Sequence, residues 1–138
     1  MPQESSKGRV LIVDDEASIA RTFRYCLEDD GYDVATAQTV TQALAQISSR
    51  VFDVCFLDLM LGDDHGLELL PKLKAQAPWL RVVVATAHSA VDTAVEAMRA
   101  GAADYIVKPC SPDQLRMAAA QQMQAREMEL RIENLEAE

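Results

Sequence analysis

Apolar positions along the chain follow two periods. Short runs rich in Val, Ile and Leu predict strands over residues 9–14, 32–36, 53–57, 81–85 and 104–107. Between them, apolar residues recur every three or four positions, the spacing of a helix with one buried face. The first such stripe is Ile19, Phe23 and Leu27, the second Val40, Ala43, Leu44 and Ile47, and the third Leu67, Leu70 and Leu73; a fourth helix spans about residues 90–100. Gly31 stops the first helix, Pro78 follows the third, and Gly101 stands where the fourth should close. Residues 58–66 read as a loop. Ser111 or Pro112 opens a last helix that runs toward the end of the sequence.

Strands that alternate with helices of this length imply βα units and a parallel sheet. The runs Val10–Val13 and Val82–Ala85 are apolar on both faces, as strands covered by helices on either side must be. A three-layer α/β sandwich is therefore predicted, with an extended C-terminal helix. Periodicity does not give the strand order. In any such sheet, however, ligands gather beyond the carboxyl ends of the strands. The sequence delivers Asp14, Asp15 and Glu16 to that edge after the first strand, Asp58 after the third, Thr86 after the fourth, and Lys108 with Pro109 after the fifth.

Composition narrows the class. A chain of 138 residues suits one domain, able to bury roughly two thirds of its unfolded surface. With 49% hydrophobic and 25% charged residues, it has neither the composition of a disordered chain nor that of a membrane protein. No apolar run approaches the ~20 residues of a membrane span, and residues 1–9 lack the apolar stretch of a secretory signal, so a cytoplasmic location is expected. Residues 1–7 are expected to be disordered. Cys26, Cys55 and Cys110 form neither a C-x-x-C pair nor a Cys/His cluster and read as packing residues. The formal net charge of −9 argues against direct nucleic-acid contact by this segment, which would need clustered Lys and Arg.

Each polar residue at the sheet edge has an ordinary explanation by itself: acids after a strand cap the next helix, and a threonine serves a turn. Together they supply a hard oxygen site for a divalent cation, a carboxylate nucleophile, a hydroxyl donor and a compact ammonium charge. Phosphoryl transfer requires this set, because it is catalysed mainly by positioning and by neutralising charge on the transferred oxygens. Mg²⁺ prefers carboxylate, water and phosphate oxygen, so Asp14 and Asp15 are candidate ligands and Asp58 the candidate nucleophile. Lys108 would act as a point charge on the phosphoryl oxygens and Thr86 would hydrogen-bond one of them.

These residues, in this order and at these strand ends, resemble the response-regulator receiver domain of two-component signalling. The resemblance covers about residues 8–125. It implies a flavodoxin-like doubly wound sheet of five parallel strands in order 2-1-3-4-5. It also implies that Asp58 accepts a phosphoryl group from a sensor histidine kinase, that Asp15, Asp58 and the main-chain carbonyl of Met60 ligate Mg²⁺, and that Asp14 acts through water. Lys108–Pro109 would be a cis peptide. Tyr105 matches the family's aromatic switch, and the fourth helix, fifth strand and fifth helix would form the output face. The sequence departs from the family where a proline is frequent four residues after the acceptor: Gly62 stands there, followed by Asp63, Asp64 and His65. His65 reads as a solvated loop residue, whereas His88 lies where it could influence access of water to an acyl phosphate.

Residues 94–105 resemble receivers of the nitrogen-regulatory enhancer-binding class, in which an ATPase domain and a DNA-binding domain follow. Neither a phosphate-binding G-x-x-x-x-G-K-[ST] loop nor a basic recognition helix occurs here. Residues 126–138 read as a linker helix toward such an output. Ala118, Gln121, Ala125, Met128, Ile132 and Leu135 have heptad spacing, which suggests a coiled-coil dimer stem, with a solvated amphipathic helix as the plainer alternative; with the output face that the resemblance implies, a homodimer through that face and the tail is expected. Other classes remain open at this point. A Mg²⁺-dependent aspartyl phosphatase would place another acid two residues after the nucleophile, where Met60 stands. A flavin-binding module would cradle phosphate after the first strand, where this chain is acidic. A stand-alone receiver could act by protein contact alone.

Overall fold

The computed structural model describes residues 6–61, 64–87 and 91–137. Five parallel strands form the sheet: β1 (Arg9–Val13), β2 (Asp33–Ala37), β3 (Val54–Leu57), β6 (Arg81–Thr86) and β7 (Asp104–Val107), in the order β2-β1-β3-β6-β7. Counting sheet strands alone, this is 2-1-3-4-5, the doubly wound flavodoxin-like arrangement. The labels β4 (Met60–Leu61) and β5 (Asp64–His65) belong to a separate antiparallel pair inside the segment read from sequence as loop. Two-residue strands are too short to show any period.

Side-chain parity sorts the core into two layers. Leu11, Val13, Cys55, Leu57, Val82 and Val84 face one side and pack with helices α2 (Val40–Ser49), α3 (Gly66–Gln76) and α4 (Val91–Arg99). Val10, Ile12, Val54, Phe56, Val83 and Ala85 face the other and pack with α1 (Ala17–Asp29) and α5 (Pro112–Ala137). Period-two alternation of wholly apolar strands thus fills both layers at once. Phe23 of α1 meets Phe56 of β3 edge to face, ring centroids 6.4 Å apart.

The helix ends are chemically specified. The Thr39 hydroxyl accepts from the Gln42 N–H (3.1 Å) at the start of α2. At the start of α5, Ser111 Oγ accepts from the Gln114 N–H while Gln114 Oε1 accepts from the Ser111 N–H, a reciprocal capping box with Pro112 at the first helical position. Gly31 and Gly101 adopt φ of +99° and +114°, the left-handed region that closes α1 and α4. Lys7, in the lead expected to be disordered, donates its main-chain N–H to the Gly31 carbonyl (2.9 Å).

Helix α5 crosses residue 125 without a break. Its heptad residues divide between two environments. Ala118 is buried in the core beside α1, whereas Gln121, Met128, Ile132 and Leu135 are exposed. No helix among the described residues is long and apolar enough to cross a membrane.

The turn from β3 into α3 leaves no room at Gly66. A Cβ there would stand 2.5 Å from the Asp58 carbonyl oxygen and 2.8 Å from the Leu59 Cα, both backbone atoms that cannot swing aside. Gly66→Ala should lower unfolding free energy by about 1–3 kcal/mol in urea titrations, the usual scale of forced overpacking; an unchanged midpoint would show that the turn yields freely.

Candidate functional site

Three carboxylates converge because β1 and β3 are neighbours that end in register. The Asp14 N–H donates to the Ala37 carbonyl (3.0 Å) and the Asp58 N–H to the Val13 carbonyl (2.9 Å), fixing both residues at the carboxyl edge. One ligand oxygen from each of Asp14, Asp15 and Asp58 lies within 4.8 Å of the others. Asp14 and Asp58 are buried and Asp15 is exposed.

Lys108 arrives from the end of β7, where its main-chain N–H donates to the Thr86 carbonyl (2.9 Å). Its ammonium donates to Asp14 Oδ2 (2.7 Å) and to Asp58 Oδ2 (2.9 Å). Each acid's other oxygen accepts from a main-chain N–H: Asp14 Oδ1 from Glu16 (2.9 Å) and Asp58 Oδ1 from Met60 (3.0 Å). The Lys108–Pro109 bond is cis. Thr86 is fully buried at the end of β6.

A cavity of about 740 Å³ opens over this group, lined by Asp15, Asp58, Met60, Thr86 and Lys108. Its other wall is α1, through Ser18, Ile19 and Thr22. Sequence reading used Ile19 only as a core position. The overlooked signal is the spacing of Asp15, Ser18, Ile19 and Thr22, which puts all four toward one side of the chain as it enters the helix. Tyr105 is half-buried and packs against the core layer of α2, α3 and α4; burial raises its phenol above the ordinary value. Gly62, Asp63 and His88, and the side chain of His65, lie outside the described residues.

Burial pushes the Asp14 carboxyl above its ordinary value, and the Asp58 charge adds to this; the Lys108 and Glu16 hydrogen bonds offset only part of it. For Lys108, burial is the largest single influence and lowers the ammonium. Its hydrogen bonds and attraction to Asp14 and Asp58 together outweigh burial and hold it above the usual lysine range. The site is thus a protonated lysine shared by two buried acids, with a third acid at the rim. Such a set of hard oxygens could hold a divalent cation.

The family model of the response regulator receiver domain matches residues 10–120 of the chain. The chain belongs to the response regulator receiver family. This receiver is 64% identical over 132 residues to the alginate biosynthesis transcriptional regulatory protein AlgB of Pseudomonas aeruginosa, covering 96% of the chain and 29% of that protein. It is 40% identical over 106 residues to the transcriptional regulatory protein ZraR of Escherichia coli, covering 77% of the chain and 24% of ZraR. It therefore spans under a third of these relatives. Among solved structures, NtrX from Brucella abortus in complex with ATP superposes with a TM-score of 0.89 at 35% identity, over 94% of this chain and 30% of that one. A CheY-like receiver from Methanospirillum hungatei superposes with a TM-score of 0.85 at 33% identity, over 88% and 98%. The family is a signalling family rather than a catalytic one.

The shift at Asp14 has a definite sign. A carboxyl raised on folding contributes stability that is fully present below its ordinary value of 3.8 and lost as pH rises through the higher folded value. At neutral pH the ionised group therefore opposes folding. Without divalent cations, Asp14→Asn should raise the thermal midpoint at pH 7 by a few degrees, about 1 kcal/mol for a domain of this size. The advantage should shrink on acidification, where the wild-type carboxyl is itself neutral; a difference that is the same at both pH values would contradict the account.

Proposed function

We propose that this receiver is a phosphoacceptor switch in which Asp58 takes a phosphoryl group from a sensor histidine kinase with Mg²⁺ and thereby regulates transcription activation by a following output domain. The observation that carries the reading is the shared ammonium. Lys108 sits within 2.9 Å of the proposed nucleophile and within 2.7 Å of its buried neighbour. It already occupies the place from which a cation can follow charge onto a transferred group.

A carboxylate oxygen of Asp58 attacks phosphorus, the phosphorus–nitrogen bond to the donor histidine breaks, and an acyl phosphate is left on Asp58. Bound Mg²⁺ supplies charge neutralisation on the transferred oxygens. Asp15, Asp58 and the main-chain carbonyl of Met60 would hold the ion, and Asp14 would act through water; the three clustered carboxylates are the donor set such an ion prefers. Lys108 moves its contact from Asp58 to the phosphoryl oxygens, and the buried Thr86 hydroxyl bonds one of them. The new dianion draws Thr86 inward and Tyr105 follows, altering the face formed by α4, β7 and α5. Self-phosphorylation from small donors and slow loss of the phosphoryl group are the extent of its chemistry.

The output assignment rests on the likeness to AlgB and ZraR, both transcriptional regulatory proteins by name. Residues 8–125 form the receiver unit and residues 126–138 begin the linker. A homodimer uses α4, β7, α5 and the tail, where Val95, Met98, Val107, Met117 and Met128 expose apolar surface. The protein works in the cytoplasm and this segment makes no direct nucleic-acid contact.

Incubation with acetyl phosphate and Mg²⁺ should add the mass of one phosphoryl group to the wild type. Asp58→Ala and chelation of the metal should each abolish the gain. Lys108→Ala should slow it by roughly 10²–10³-fold, the scale of losing one preorganised charge donor. Wild-type protein that gains no mass, or Asp58→Ala that gains it equally, would overturn the assignment.

A further inference from the structure

The strand that leads into Asp58 begins next to another acid, the half-buried Asp53. Asp53 precedes β3 at the opposite edge of the sheet and ties three strands together: its Oδ2 accepts from the Arg9 N–H (3.0 Å), its N–H donates to the Arg9 carbonyl (2.9 Å), and its carbonyl accepts from the Arg81 N–H (3.1 Å). Its remaining oxygen, Oδ1, faces Arg126 Nε of α5 at 3.4 Å, with side chains only 21% and 11% exposed. The Arg126 guanidinium also lies 6.0 Å from the centroid of Trp79, whose indole N–H donates to the Phe52 carbonyl (3.0 Å). Beside it, Arg81 Nε donates to Gln122 Oε1 (2.9 Å) and Arg81 Nη1 lies 3.5 Å from Glu129 Oε1.

Gln122, Arg126 and Glu129 fall four and three residues apart, on one face of α5. They continue the stripe begun by Leu115, Ala118 and Ala119, which packs on the sheet. At 26 residues and 1.5 Å per residue, α5 outruns strands of four to six residues, so its apolar contacts end where the sheet ends. A polar group takes over there. Both Arg126 and Gln122 are buried, unlike the exposed pair of Lys7 and Asp30 at the same edge.

We infer that Asp53, Trp79 and Arg81 form a latch that grips Gln122, Arg126 and Glu129 and fixes the direction in which the C-terminal helix leaves the domain. The latch holds the helix to the sheet itself, through the residue that precedes β3, rather than to the α4–β7 face. Residues 112–129 therefore move with the sheet as one body, and the exposed Ile132 and Leu135 project from a fixed base. This inference does not depend on the phosphoacceptor reading, since neither Asp58 nor its neighbours take part.

Hydrogen–deuterium exchange on the 138-residue chain tests it. Arg126→Ala should speed exchange of the amides of residues 122–133 by roughly tenfold, the loss of a charge-assisted contact, while residues 112–118 and β3 keep wild-type protection. Asp53→Asn, which retains an acceptor for the Arg9 N–H, should act in the same direction. Arg131→Ala, at an exposed position of the same helix, should leave the pattern unchanged. Protection at 122–133 within twofold of wild type in Arg126→Ala, an equal effect of Arg131→Ala, or acceleration spread evenly over sheet and helix would each overturn the latch.

Discussion

The site depends on one ammonium group held between two buried carboxylates. Asp14 and Asp58 come from adjacent strands whose register leaves them side by side, and burial weakens the water that would otherwise screen their repulsion. Lys108 reaches both from the end of β7, two places from β3 and three from β1, with its own main chain anchored to Thr86. Removing Lys108 would leave two buried carboxylates without their shared counter-charge, and loss of such a partner typically costs about 3–5 kcal/mol. The acids outnumber the lysine within this cluster, and the Asp14 carboxyl remains harder to ionise than an ordinary one despite its contact with Lys108. A site charged in this way gains by taking up further positive charge, consistent with the proposal that it works with a cation and receives a phosphoryl group.

β3 organises the rest. It is the central strand, fully buried over its four residues, and it sends alternate side chains into both core layers. One end presents Asp58 to the cavity and the other presents Asp53 to α5. A buried parallel strand is a stiff element, so the proposed chemistry at one edge and the helix exit at the other share one frame. In the proposed switch, what moves lies to the side, at Thr86, Tyr105 and α4. On that proposal a local charge change alters an outer face while the sheet and the base of the tail stay in place.

Much of this was readable in the sequence for physical reasons. Five short β-prone runs separated by helical stripes, two of them apolar on both faces, leave few alternatives to a parallel sheet, and the polar residues that matter stand at the strand ends, where Asp14, Asp58, Thr86 and Lys108 end the runs. The unreadable parts are those without a period or with two possible uses. The β4–β5 pair is too short to register. Ala118 has heptad spacing but is consumed by packing against α1, because one helix stripe can serve either a partner or its own domain. Gln122 and Arg126 look like solvent-facing residues of a long helix, and their burial emerges only once the sheet edge, Trp79 and Asp53 are placed beside them. The α1 wall of the cavity was hidden by a similar ambiguity, since Ile19 satisfies the rule for a core residue as well as that for a groove.

A thermal titration with Mg²⁺ tests most directly whether the three-acid cluster takes up a divalent cation. If the cluster takes up the ion, the wild-type midpoint rises with Mg²⁺ concentration, reaching about 2.7 kcal/mol of added stability near a hundredfold excess over the dissociation constant. Asp15→Asn and Asp58→Asn should each lose most of that rise. A wild-type midpoint that ignores Mg²⁺, or one that rises equally in both variants, would contradict it.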